Sequence, residues 1–125
     1  MTMLGLSTLV AFVGTRDAVR ARAFYAEVLG LPLVSEDGFA LVFDAGGTPL
    51  RVTIVPAVAA APYTVLGWQV PDIRAAIGSL TPRGVRFERY DFMQQDDLGV
   101  WTAPSGARVA WFKDPDGNLL SLSQV

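Results

Sequence analysis

Neither histidine nor cysteine occurs anywhere in the chain. An imidazole base, a thiolate nucleophile, a disulfide and any imidazole or thiolate metal ligand are therefore excluded. Proton transfer is left to carboxylates, and charge recognition to arginine and lysine. Glu36, Asp96 and Asp97 are the carboxylates that could serve as a general base, which must reach within hydrogen-bond distance of the proton it removes. Asp96 and Asp97 end the polar run Gln94-Gln95-Asp96-Asp97, whose ordinary reading is a solvated loop tip. Asp114 and Asp116 alternate with Pro115 and Gly117, which is turn chemistry and not a catalytic pair. Arg51, set among the apolar residues Leu50 to Val55, has the planar fork suited to carboxylate or phosphate. Trp68, Trp101 and Trp111 offer flat surfaces on which a ring could stack.

Composition narrows the partners. The 125 residues are 51% hydrophobic and 18% charged, enough for one packed domain. A net charge of −2 and an isoelectric point near 4.9 give no basic footprint for nucleic acid. No apolar run reaches membrane-spanning length, and Met1 to Val13 lacks the basic region and cleavage site of a signal peptide. A cytoplasmic protein with no nucleic-acid or membrane partner is expected.

The elements that must position these residues follow from period and turn signals. Thr8 to Val13 reads as a buried strand ending at Gly14, and Asp17 as the cap of a helix carrying Ala21, Phe24, Tyr25, Val28 and Leu29 at helical spacing, stopped by Gly30. Short strands follow at Leu33-Val34, Phe39 to Phe43 and Leu50 to Val55, separated by Asp37-Gly38 and Gly46-Gly47. Pro56 to Pro62 has two prolines and no period, so it reads as a connector. The unit then recurs: a strand at Val65 to Val70, a helix capped by Asp72 with Ile73, Ala76, Ile77 and Leu80 on one face, Pro82 and Gly84 closing it, and a strand at Val85 to Tyr90. Gly99 to Thr102 could add a further strand. A final hairpin turns on Asp114-Pro115-Asp116-Gly117-Asn118, with Leu120 and Leu122 facing away from Leu119, Ser121 and Ser123. Trp68, opposite in face to Gln69, reads as core against the second helix.

Counting supports a duplication. Val10 precedes Asp17 by seven residues and Val65 precedes Asp72 by seven. The second copy carries extra material at about Met93 to Gly106, because Asp17 to Phe43 spans 26 residues and Asp72 to Phe112 spans 40. The apolar strand followed by Asp-Pro-Asp-Gly, the Phe24-Tyr25 helix ending at Leu29-Gly30, and the tandem β-α-β-β-β pattern together resemble the vicinal-oxygen-chelate superfamily, which contains glyoxalases, extradiol dioxygenases and bleomycin-binding proteins.

That resemblance implies an α+β fold of two tandem βαβββ modules forming a curled mixed sheet with a central cleft, in a single domain spanning 1–125 (module one 1–56, linker 57–63, module two 64–125). It also implies metal-ligand positions at Val10, Arg51, Val65 and Ser121, none of which carries the family's His or Glu, so no metal and no cofactor are expected. Alternation then adds Phe12, Thr53 and Gln69 to the lining, with Trp111 where a reactive tyrosine stands in the dioxygenase branch, and Trp101 near the second-module insertion. The expected function is a metal-independent small-molecule-binding protein that sequesters a planar or aromatic ligand as a homodimer. The alternative is a glyoxalase- or dioxygenase-like enzyme, an isomerase or lyase of the same superfamily, acting without the usual metal site, its catalytic residues unknown. An interaction or regulatory module of a larger system is a third reading.

Overall fold

The computed structural model describes residues 3–125. The chain divides into two compact units, one ending at Val58 and the other beginning at Ala59. Each holds a four-stranded mixed sheet with a helix on one face, and the α+β class with two tandem modules is as the sequence implies.

In the first unit β1 (Ala11–Thr15) leads to α1 (Ala18–Arg22), then β2 (Leu33–Glu36), β3 (Ala40–Ala45) and β4 (Thr48–Ile54). Asp17 caps α1, its side chain accepting from the Val19 and Arg20 amides. The helix runs on as a π-helical turn, Ala23–Val28, in which the Leu29 N–H donates to the Phe24 carbonyl. That turn seats Tyr25, fully buried, 5.7 Å from Phe43 between ring centroids. The strand order is β1-β4-β3-β2, with β1 parallel to β4 and the other pairs antiparallel. Val13, Leu41, Phe43, Leu50 and Val52 are buried beneath the helix side of the sheet. Between β3 and β4 the chain reverses on Gly46 and Gly47 with φ of 61° and 95°, and the Asp44 carboxylate accepts from the Gly47 amide. Two consecutive positive φ values are what a two-residue hairpin loop needs.

The first strand lies later than the sequence pattern implies. It starts at Ala11, so Thr8, Leu9 and Val10 precede it and are exposed. The register explains this: Ala11 faces Leu50, which puts Val10 opposite Pro49, and proline has no N–H with which to continue the ladder.

In the second unit β5 (Leu66–Gln69) leads to α2 (Ile73–Leu80), β6 (Trp101–Thr102), β7 (Arg108–Lys113) and β8 (Leu119–Gln124), in the order β5-β8-β7-β6 with β5 parallel to β8. Asp72 caps α2 by accepting from the Ala75 amide, and Ile73 and Ile77 are buried on the side that packs against β7 and β8. The closing hairpin is tied by Asp114, buried, whose carboxylate accepts from the Asp116 and Asn118 amides and the Asn118 side chain.

A strand at Val85 to Tyr90 does not form. Only Phe87 bridges to Phe112, with the Glu88 amide donating to the Trp111 carbonyl. Beyond that point the Gln95 side chain takes the backbone groups a strand would have used: it accepts from the Tyr90 amide and donates to the Glu88 and Gly99 carbonyls. The outer edge of β7 is thus covered in two pieces, by Phe87 and by β6. The described residues contain no helix long and apolar enough to cross a membrane.

Candidate functional site

Alternation along a strand sends successive side chains to opposite faces, and in each unit the face away from the helix collects the residues singled out from sequence. In the first unit Phe12 pairs with Arg51, and Arg51 with Val42 across β3. Phe12 is 60% exposed and Val10 41%, while Arg51 and Thr53 are half-buried. No ion pair to Arg51 forms among the described residues. Its charge is felt by Asp37, whose carboxyl is held below the ordinary range first by the Phe39 and Ala40 amides and then by Arg51.

In the second unit Gly67, Ser121 and Trp111 form one cross-strand row, and Gln69, Ser123, Val109 and Trp101 the next. Val65 precedes Gly67 on the same face and donates its amide to the Leu119 carbonyl. Val65, Gln69, Ser121, Trp111 and Trp101 are therefore brought to one surface. Trp68 lies in register with Leu122 and Ala110 on the other, helix side.

Trp111 is the centre of an aromatic cluster. The Trp101 ring is 6.1 Å away, tilted by 38°, and the Tyr90 ring meets it edge-on at 5.8 Å. Phe92 packs on Tyr90 at 5.4 Å and is 80% exposed. Partial burial, then the nearby Glu88 carboxylate, raise the Tyr90 phenol above its usual value, so it stays protonated and able to donate. A hollow of about 650 Å³ opens beside this cluster, lined by Met93, Gln94, Gln95, Asp96, Val100, Trp101 and Thr102.

The carboxylates weighed as bases are engaged elsewhere. Glu36 pairs with Arg22 at 2.8 Å, Asp96 with Arg74 at 2.7 Å and Asp97 with Arg74 at 3.3 Å. Partial desolvation pushes Asp96 up, but the Val100 and Leu98 amides and Arg74 together outweigh it and hold the carboxyl below its ordinary range. Asp96 and Asp97 are fixed parts of a braced loop, since Arg89 also donates to both their carbonyls.

Tyr90, Phe92, Gln95, Arg89 and Arg74 were not singled out from sequence. Tyr90 and Phe92 stand in a segment that forms no strand, so alternation does not place their rings. Gln95 stands in a polar run with nothing to mark it, because its role comes from which backbone groups the loop leaves unpaired.

A family model described as the glyoxalase/bleomycin resistance protein/dioxygenase superfamily matches residues 7–122. The chain belongs to that superfamily. Among solved structures, a Bacillus anthracis protein described as of the glyoxalase family is similar with a TM-score of 0.77 at 16% identity, covering 99% of this chain and 98% of its own. A lactoylglutathione lyase from Agrobacterium tumefaciens gives 0.73 at 16% identity, covering 95% and 93%. A superfamily member from Sphaerobacter thermophilus gives 0.72 at 23%, covering 94% and 96%. At such identities the likeness is one of fold. No curated protein matches.

The donors present do not fit the superfamily's metal. Val10 and Val65 have no donor side chain, Arg51 is a cation and Ser121 offers one hydroxyl, which is not a ligand set for a divalent ion. No group of three or more Asp or Glu side chains able to hold an ion occurs among the described residues.

Proposed function

We propose that this superfamily member binds a planar or aromatic small molecule without a metal, and that the helix-free face of the second unit is where it does so. The observation that carries the reading is the Trp111 cluster, in which Trp101 and Tyr90 pack around one ring on the same face as Ser121 and Gln69. An apolar, aromatic wall with a few hydroxyl and amide groups is the usual make-up of a small-molecule site. Binding is favoured over catalysis because the carboxylates considered as bases, Glu36, Asp96 and Asp97, each hold an arginine, and Glu88, which lies near Tyr90, is paired with Lys113. Separately, and on the first unit alone, Arg51 is proposed as the anchor of an anion-binding surface of its own, with Phe12, Thr53 and Val10 beside it.

The test is titration of chelator-treated protein with naphthalene, followed by the side-chain N–H resonances of the three tryptophans. Binding is expected to shift Trp111 and Trp101 and to leave Trp68 unmoved. Trp111→Ala is expected to weaken it by about threefold to tenfold, since stacking contributes about 0.5–1.5 kcal/mol beyond area burial. Binding that requires added Ni, Zn, Fe or Mn, or that survives Trp111→Ala intact, rejects the reading.

We further propose that the protein works as a homodimer. Leu4 and Leu6 are each 88% exposed and Leu9 73%, and all of β2 is exposed at a sheet edge, surfaces that commonly seek a partner. Sedimentation at micromolar concentration is expected to give twice the chain mass, and a monomer there refutes it.

A further inference from the structure

Ser121 combines two properties that do not usually coexist. It is only 8% exposed, yet its hydroxyl forms no side-chain hydrogen bond with any described residue. Among the described residues no fully enclosed polar side-chain atom lacks a partner, and the Ser121 oxygen accordingly reaches the surface of the helix-free face. Its direction is set by its neighbour. A Cβ placed on Gly67 would stand 2.9 Å from the Ser121 Oγ, so the hydroxyl leans over β5 into space a side chain would otherwise fill.

The surroundings make this a slot. Along the row, Gly67 contributes no side chain, Ser121 a short one and Trp111 a large one. The β6 side of Trp111 is occupied by Trp101. Its β8 side looks over Ser121 and then Gly67. Neighbouring strands are about 4.8 Å apart, close to the separation of two stacked rings, so a ring lying against Trp111 stands above β8 with its edge on the Ser121 hydroxyl. Gln69 and Ser123 bound one end of the slot, Val65 and Leu119 the other. The charge nearest in the register, Lys113 beside Leu119, is paired with Glu88 at 3.6 Å, which leaves the floor without an uncompensated charge.

We propose that the Gly67–Ser121–Trp111 row seats an uncharged planar heteroaromatic ring, with Trp111 against its face and the Ser121 hydroxyl donating to an acceptor atom on its edge. This deepens the ring-binding reading above and rests on it.

Quinoline and naphthalene separate the two, because they share a shape and differ by one ring acceptor. With the tryptophan N–H resonances as readout, at mildly alkaline pH where quinoline is neutral, the wild type is expected to prefer quinoline by about threefold to tenfold, the range of one net hydrogen bond. Ser121→Ala is expected to abolish that preference, quinoline affinity falling about threefold to tenfold relative to naphthalene measured on the same variant, an outcome a merely structural serine would not give. Gly67→Ala fills the slot and is expected to weaken both rings, its fold checked by the backbone amide spectrum. If Gly67→Ala fails to fold, Ser121→Ala decides alone. A quinoline preference that persists in Ser121→Ala, equal binding of both rings by the wild type, or a folded Gly67→Ala that binds both normally overturns the slot and leaves ring binding standing. Failure of either ring to bind the wild type removes both.

Discussion

The two units share a strand order and a parallel pairing of first strand with last, but they finish their sheets differently. In the first, β2 pairs along β3 from Leu33 to Glu36, with one irregularity between Leu33 and Ser35. In the second, the corresponding edge is a single bridge at Phe87 and the two residues of β6, joined by a loop braced by side chains. The first unit's open face therefore carries one ring, Phe12, beside a guanidinium, while the second carries Trp101, Trp111, Tyr90 and Phe92. One scaffold can be specialised by replacing an edge strand with a loop, provided something satisfies the backbone groups the strand would have paired.

Gln95 is that provision, and removing it should give the largest effect. Gln95→Ala strands the Tyr90 amide and the Glu88 and Gly99 carbonyls, at a cost of about 2–3 kcal/mol. Ser35→Ala, on the backbone-paired edge of the first unit, should stay within about 0.5 kcal/mol. Denaturant unfolding of both variants measures the contrast, and equal effects would mean that the loop is not held by its side chains.

A smaller difference is expected from the arginines. Arg74→Ala removes the pairs to Asp96 and Asp97, and Arg22→Ala the pair to Glu36. Partly exposed pairs contribute up to about 1 kcal/mol and fade with salt. Only the Arg74 loss should disturb the Trp101 resonance, because only that pair braces the aromatic loop. Acid should act at the same place. The Asp96 carboxyl is held below its ordinary range in the folded protein, so the stability it adds is present above the unfolded value and lost as pH falls through the folded one. Trp101 should report that loss before the global transition does.

The smallest effect is assigned to Arg51→Ala. It should let the Asp37 carboxyl rise slightly, and by less than loss of the Phe39 and Ala40 amide bonds would, since those come first among the causes. Carbon-detected titration of Asp37 measures it. An unchanged Asp37 would place the guanidinium away from that turn.

Legibility followed the range of the interactions. Both caps, Asp17 and Asp72, and the Asp114 to Asn118 turn were readable because each is satisfied within a few residues of itself. The start of β1 was not, because it depends on Pro49, 38 residues after Ala11 and on another strand. Val85 to Tyr90 has the composition of a strand and fails to become one for the same kind of reason, Gln95 having claimed its neighbours' backbone. On the candidate site, the faces of Trp111, Ser121 and Gln69 followed from alternation alone. The packing of Tyr90 on Trp111 and of Phe92 on Tyr90 did not, since both stand in an irregular segment with no period to extrapolate.

The strand order also governs the sequence in which each sheet can assemble. β1 has a single neighbour, β4, and β5 a single neighbour, β8, and in both cases that neighbour is the last of the four to leave the ribosome. The hairpins at β3-β4 and β7-β8 are local and can close early, whereas the opening strand must wait, unpaired, for a partner about forty to fifty residues downstream. Such long-range parallel closure is the slow kind. A nascent chain arrested before Thr48 thus presents β1 with no edge to join.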